Sequence, residues 1–323
     1  MQSIFLGEST MKTEKEILGE KVCSFVCSVR AYCAVLVLLF SCSAQAVGTL
    51  EKIAQTGVLT LGYQLASPFS YQDDNQQPIG YSIDVCKKVV EAIKRELKRP
   101  DLAVKFVVVT SASRFTTLVG GEIDLECANT TNTAERRKQV AFTIPTFIAA
   151  TRLMVHKGSG IQSVYDISGK TVVTTKGSSS ETIFNDLNSA RALKAKLVLT
   201  KEYVESFELL EAGKADAFIM DDVLLYSLRA TAKEPEKLEV TREALTIEPL
   251  SLMLRKDDPA FKKLVDAEVA RIISQGEINT IYHKWFEMPI PPQQLNLKLP
   301  MSHLLRDYFR APTDWIPETR KLY

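Results

Sequence analysis

Apolar positions along the chain follow two alternating periods. Short β-branched runs predict strands: V-L-T-L-G-Y at 58–63, A-V-K-F-V-V-V-T at 103–110, I-D-L-E-C-A at 123–128, T-V-V-T-T at 171–175, K-L-V-L-T at 196–200 and A-D-A-F-I-M at 215–220. Between them apolar residues recur at helical spacing, over 82–97, 113–121, from 181 onward and over 206–212. Strands alternating with helices predict an α/β chain with mostly parallel, covered sheets. Two longer apolar runs, 140–156 and 247–256, read as extended crossovers between two such units. An amphipathic helix follows, closed by Gly276.

One local identity supports two units of similar build. Leu118, Gly121 and Asp124 stand L-x-x-G-x-x-D, as do Leu210, Gly213 and Asp216, 92 positions later. Glycine there suits a helix end that turns left-handed into the next strand. The expected division is a leader over 1–46, a first lobe from 47–149, a second lobe over 150–247, a return to the first over 248–289 and an extension over 290–323. The extension opens on Pro291 and Pro292 and holds one helical pattern near 302–309. It reads as a strap over the surface or a mobile tail.

The N-terminus changes the picture. A-Y-C-A-V-L-V-L-L-F at 31–40 is uncharged, preceded by Lys21 and Arg30 and followed by Ala44-Gln45-Ala46. These are the parts of a secretory signal peptide, and the block is about half the ~20 residues that span a membrane. Export with cleavage near Ala46 is expected, to a periplasmic location. A lipid anchor at Cys42 is a lesser alternative, and either Met1 or Met11 can be the start. Removing 1–46 takes four basic and four acidic residues and leaves the net charge at +1. That balance points to neither nucleic acid nor an acidic membrane surface. Of six cysteines only Cys86 and Cys127 then remain. They can pair, or serve as buried thiols; the residues leave both open.

No Gly-rich phosphate loop, no G-x-S-x-G and no metal-ligand spacing among His156, His283 and His303 is present. No metal, cofactor or enzymatic nucleophile is expected. The chemistry sits at helix starts. Ser178-x-x-Glu181 is a capping box after a strand, Asn132 three before Glu135 predicts a second cap, and Ser111 and Ser113 mark a third. Helix N-termini carry unpaired N–H groups and roughly half a positive charge, and so attract carboxylates. Arg136 and Arg114 stand beside two of these starts and add bidentate forks. In an open α/β sheet such starts share one cleft beyond the strand ends. The anion expected is the carboxylate of a free amino acid.

On P-F-S-Y (68–71), G-Y-S-I-D-V (80–85), E-C-A-N-T-T-N-T-A-E-R-R-K-Q (126–139), F-E-L-L-E-A-G-K-A-D-A-F-I-M-D-D (207–222), L-R-K-D-D-P-x-F-K-K-L (254–264) and P-I-P-P (289–292), the chain resembles the amino-acid-binding proteins of ABC importers. Within these family-3 solute-binding proteins it is nearest the glutamate/aspartate binders, over residues 48–316. The resemblance implies a type II periplasmic-binding-protein fold, with two mixed sheets, two crossovers and a ligand cleft. It implies that Arg136 grips the ligand's α-carboxylate with Thr131 and Ser179, and that Asp221 takes the α-ammonium. Asn129 stands where a small hydroxyl residue is usual. Ser111 and Arg114 match positions that meet the side-chain carboxylate. The implied partners are a polar, acidic amino acid and a membrane permease, with the chain a monomer.

Departures bear on specificity. An arginine of the acidic-amino-acid binders is Gln64 here, and a histidine is Tyr203. Losing one cation weakens the case for a dicarboxylate and brings glutamine or asparagine next. The family's partner for Cys127 is replaced by Leu252, so the resemblance implies no bridge and gives Cys86 no role. Two other readings remain: an enzyme of the cyclohexadienyl dehydratase type, with Asp221 as general acid, and a sensor-associated binding module.

Overall fold

The computed structural model describes residues 48–314, so the expected leader and its cleavage or anchoring site lie outside the described residues. The chain opens with α1 (Thr49–Thr56), β1 (Val58–Tyr63), a small hairpin of β2 (Tyr71–Gln72) and β3 (Pro78–Ile79), α2 (Tyr81–Leu97), β4 (Ala103–Val108), α3 (Arg114–Val119) and β5 (Leu125–Thr131). A 3-10 turn at Arg136–Lys138 precedes β6 (Val140–Phe142) and the first crossover, β7 (Phe147–His156). The second lobe holds β8 (Thr171–Thr175), α4 (Ser179–Ala190), β9 (Lys196–Thr200), α5 (Tyr203–Glu211), β10 (Ala217–Asp221), α6 (Asp222–Ala230) and β11 (Leu238–Val240). The return is β12 (Thr246–Arg255), α7 (Pro259–Ser274) and α8 (Glu277–Tyr282), and the extension contains α9 (His303–Arg310).

Strand order is β4-β1-β5-β12-β7-β10-β8-β9, with β6 also on β12 and β11 on β7. β1 pairs in parallel with β4 and β5, and β8 with β9 and β10. The crossovers pair with each other, antiparallel, from Thr246↔Thr151 to Leu250↔Phe147. The sheets of the two lobes thus run on into one ladder. Two extended chains side by side must satisfy their N–H and C=O groups, and each is the other's nearest partner.

The repeated L-x-x-G-x-x-D performs the same task twice. Gly121 and Gly213 take φ +78° and +69° at helix ends. Asp124 N donates to Thr60 O at 2.8 Å and its carboxylate accepts from Thr60 N at 3.0 Å. Asp216 repeats both bonds with Thr171, each at 2.8 Å. The aspartate seats the following strand beside the first strand of its lobe, and the glycine turn brings it there.

The larger core joins α2, α7, α8 and inner residues of β1, β5 and β12, and a smaller one lies between α4 and the sheet of the second lobe. Phe69, Tyr81, Phe147, Tyr282 and Phe286 form a ring cluster where the first crossover leaves the first lobe, with Phe69 and Phe147 edge-to-face at 5.0 Å. The described part of the extension, 290–314, lies against the core as a strap. Leu295, Leu297, Leu299 and Met301 pack against the core, Leu305 of α9 is buried, and Leu299 N donates to Phe286 O at 2.9 Å. Among the described residues no helix is long and apolar enough to cross a membrane.

The cysteines correct the expectation that the resemblance raised. Cys86 on α2 and Cys127 on β5 form a disulfide, with Cα atoms 6.2 Å apart and both residues fully buried. Leu252 is buried in the same core. The bridge forms because α2 packs across β5, a tertiary relation that cysteine spacing does not carry. Closing a loop 41 residues long restricts the unfolded chain by about 4 kcal/mol on the chain-entropy account. Replacing both cysteines by serine is expected to lower unfolding stability by up to that amount. A urea midpoint unchanged from that of the oxidised wild type would refute this role.

Candidate functional site

Every residue of β5 is buried, though four of its seven are polar or charged: Glu126, Asn129, Thr130 and Thr131. Buried polar groups need partners, and those of Glu126 and Thr130 show where the first lobe meets the second. Glu126 Oε1 accepts from Thr130 Oγ1 at 2.8 Å and from Gln64 Nε2 at 3.1 Å. Gln64 Oε1 accepts from Ser111 Oγ at 2.8 Å and from Tyr203 Oη at 3.2 Å, and Ser111 and Tyr203 lie 2.9 Å apart. A hydrogen-bonded chain therefore crosses from β5 to the first residue of α5. Burial raises the Tyr203 phenol above its usual value, so it stays a neutral donor. Burial also raises the Glu126 carboxyl, against the attraction of Arg114.

Both expected arginines reach the same point. Arg136 Nη1 donates to Thr131 O at 3.0 Å and Nη2 to Gly177 O at 3.2 Å. Arg114 Nη2 donates to that same carbonyl at 3.4 Å. The two guanidinia lie 5.4 Å and 5.2 Å from the ring centroid of Phe115. Gly177 belongs to the loop before α4, so two cations of the first lobe meet a carbonyl of the second. Ser179 Oγ stands 3.1 Å from Thr131 Oγ1 across the same gap. Burial, then the charge of Arg114, oppose the charge on Arg136 and pull its pKa down to about 9. A guanidinium stays protonated at neutral pH, so that pressure amounts to an attraction for a carboxylate.

Asp221 ends β10 and is buried. Its Oδ1, Asn129 Oδ1 and Arg114 Nε are buried with no hydrogen-bond partner among the described residues. Burial, then Glu248 and Asp222, raise the Asp221 carboxyl well above the usual range, against Arg136 and Arg114. Gln64, Ser111, Arg114, Asn129, Thr131, Arg136, Ser179, Tyr203 and Asp221 thus lie at or near strand ends and helix starts, joined to one another by hydrogen bonds or by charge interactions.

The route by which positive charge arrives is corrected. Ser178 does cap α4, accepting from Glu181 N at 3.3 Å, while Glu181 Oε2 accepts from Gly177 N at 2.7 Å. Asn132 caps no helix. Only the 3-10 turn forms there, and Asn132 Oδ1 accepts from Arg137 Nη1 at 2.9 Å. Ser113 precedes α3 but its Oγ accepts from Thr110 N at 3.0 Å, leaving the helix uncapped. β5 stays paired with β12 through Thr131, which holds Asn132 too extended to start an α-helix. The anion-attracting groups are the two guanidinia and one capped helix, not three helix ends.

Two further buried acids stand at the site. Glu126 lies within the E-C-A-N-T-T segment, without a local sequence signal for a role. Glu248 is the acid inside the apolar run I-E-P-L-S-L-M-L, and a lone charge in a buried strand was the available signal. Glu248 Oε1 accepts from Thr246 Oγ1 at 2.6 Å. Its Oε2 has no partner of good geometry, although the Thr131 and Ser179 hydroxyls stand close enough to favour its charge. Among the described residues no cluster of histidine, cysteine and acids could hold a metal ion.

Comparison with known proteins agrees with this architecture. Residues 59–288 match the bacterial extracellular solute-binding proteins, family 3. The chain is 42% identical over 267 residues to the glutamate/aspartate import solute-binding protein of Escherichia coli, covering 82% of this chain and 88% of that one. It is 45% identical over 269 residues to the L-glutamate/L-aspartate-binding protein of Pseudomonas aeruginosa, covering 83% and 89%. Among solved structures, an ancestral amino-acid-binding protein described as a precursor of cyclohexadienyl dehydratase superposes with a TM-score of 0.64 at 28% identity, covering 74% of this chain and 100% of that one. The two-lobed fold, the matched span and these identities establish that the chain belongs to the bacterial extracellular solute-binding proteins of family 3.

Proposed function

We propose that this protein captures a polar, preferentially acidic L-amino acid between its lobes outside the cytoplasm and delivers it, as a monomer, to the membrane permease of an ABC importer. The observation that carries the reading is the meeting of Arg136 and Arg114 at one carbonyl of the opposite lobe, with the free Oδ1 of Asp221 buried in the same gap. Arg136, Thr131 and Ser179 take the α-carboxylate, and Asp221 takes the α-ammonium. Gln64, Ser111, Arg114, Asn129 and Tyr203 line the side-chain end. The lobes divide as 47–149 with 248–289, and 150–247, with 290–323 as a strap and 1–46 as a cleaved leader. Two curated relatives named for glutamate and aspartate support the acidic preference. Gln64 tempers it, because its amide is committed to Glu126, Ser111 and Tyr203 and supplies no charge; glutamine and asparagine rank next. The curated relatives are named as binding proteins, and the structural neighbour described as a dehydratase precursor is itself an amino-acid binder. An enzyme is therefore not favoured.

Calorimetry against the common amino acids tests this, and no heat with any of them overturns it. Within the panel, Arg114→Ala is expected to weaken L-glutamate by ~10- to 100-fold, the size of one charge-assisted hydrogen bond. L-glutamine should lose less. Equal losses for the two would remove Arg114 from the side-chain end.

A further inference from the structure

One acid facing the cleft has no part in the reading above. Asp221 of β10 pairs with Thr151 of β7, and Thr151 pairs on its other side with Thr246 of β12. Residues directly opposed in an antiparallel ladder share a face, as do residues two apart on one strand. Asp221, Thr151, Thr246 and Glu248 therefore form one row across three strands. Hydroxyls hold the row together, with Thr246 Oγ1 2.9 Å from Thr151 Oγ1 and 2.6 Å from Glu248 Oε1. Asp221 is 3% exposed and Glu248 1%. Each keeps one buried carboxylate oxygen without a partner of good geometry, Asp221 Oδ1 and Glu248 Oε2.

Two carboxylates buried within reach of each other's field do not both ionise unless a cation joins them. The groups facing this pair are few. Arg136 faces both acids and Arg114 faces Asp221. Asp222 adds negative charge beside Asp221, and is itself paired with Arg152 at 3.3 Å. Tyr203 faces Asp221 as a neutral phenol, and the Thr131, Ser179 and Thr246 hydroxyls face Glu248. An α-carboxylate bound on Arg136 neutralises the one cation that the two acids share. The acids then require a replacement, and a ligand ammonium entering with the carboxylate supplies it.

We propose that Glu248 is a second binding residue for the ligand's ammonium group, opposite Asp221, and that entry of the ammonium expels a proton from the acid pair. This rests on the proposed amino-acid ligand. The step balances simply: the ligand keeps its N–H bonds, a proton held on one of the two carboxylates passes to buffer, and the ammonium supplies the positive charge in its place. Burial raises both carboxyls in the ligand-free protein, and the arriving positive charge lowers them. The bound form therefore holds fewer protons than the free form. Affinity rises with pH from the ordinary carboxylate range up to the raised value of the free pair, and is level above it.

L-glutamate is titrated into the wild-type protein in two buffers of unlike ionisation enthalpy, from about pH 4 to neutrality. The expected result is a heat that differs between buffers by a released proton fraction, and log affinity rising with pH by up to about one decade per unit. Glu248→Gln should show a smaller pH slope and a smaller proton release than wild type, and bind roughly tenfold more weakly at neutral pH. Carboxyl NMR of the ligand-free protein gives a reading that needs no ligand: Asp221 should titrate at lower pH in Glu248→Gln than in wild type. Heat without proton release, or an Asp221 titration indifferent to Glu248→Gln, overturns this proposal alone. No heat with any amino acid overturns it together with the function on which it rests.

Discussion

Arg136→Ala abolishes useful affinity for every amino acid the protein takes, because every one carries the α-carboxylate. The expected loss for L-glutamate is two to three decades, ~3–4 kcal/mol, within the range for truncating one partner of a buried charge pair. Three features make Arg136 unlike a surface arginine. Its fork is held by the carbonyls of Thr131 and Gly177, its Cζ stands 5.4 Å over the Phe115 ring centroid, and Arg114 presses on its charge. A guanidinium so held is preorganised, and little freedom remains to be lost when the ligand arrives. Its removal also leaves Asp221 and Glu248 with less opposing charge. Arg136→Lys should fall between, since an ammonium keeps the charge and loses the planar fork. Calorimetry reads all three proteins. Binding by Arg136→Ala within about threefold of wild type would remove the carboxylate assignment.

Gly177→Ala should cost nearly as much by a different route. Gly177 has φ +80°, and a Cβ there would stand 2.8 Å from both Ala112 Cα and Ser111 O. Those are backbone atoms of the opposite lobe, so no side-chain rotation relieves the clash. Relief comes by moving the lobes apart. The movement draws the Gly177 carbonyl away from both arginines and separates Ser111 from Tyr203. An affinity loss of at least ~100-fold is expected. The left-handed backbone alone costs an alanine only about 1–2 kcal/mol of stability, so the variant should remain folded. X-ray scattering separates the two effects: L-glutamate should compact the wild type and leave Gly177→Ala unchanged. Compaction of the variant equal to wild type would show that the lobes tolerate a methyl group at this contact.

The two variants also separate two sources of legibility. Arg136 was visible in the chain as a charge beside a run of small polar residues. The importance of Gly177 was not, because it depends on which backbone lies opposite. The same contrast holds for the acids. Asp221 stands in the F-E-L-L-E-A-G-K-A-D-A-F-I-M-D-D segment, where the family resemblance implied its role, whereas Glu248 stands in an apolar crossover and acquires meaning only from the row it shares with Thr246, Thr151 and Asp221.

Local pattern determined the strands at 58–63, 171–175 and 196–200, the repeated glycine turn with its aspartate, and the two crossovers. These follow from side-chain period and turn chemistry, which act over a few residues and are written in order along the chain. Helix α6 escaped because it begins at the residue after β10 ends, with no punctuating glycine or proline between. The predicted cap at Asn132 failed because pairing of β5 with β12 overrode a local preference. Only the tertiary structure joined Cys86 to Cys127 and Gln64 to Tyr203, and only it merged the sheets through the paired crossovers. Those contacts span from 41 to 139 positions. They depend on strand order and on the packing of helix against sheet, and so no local period can announce them.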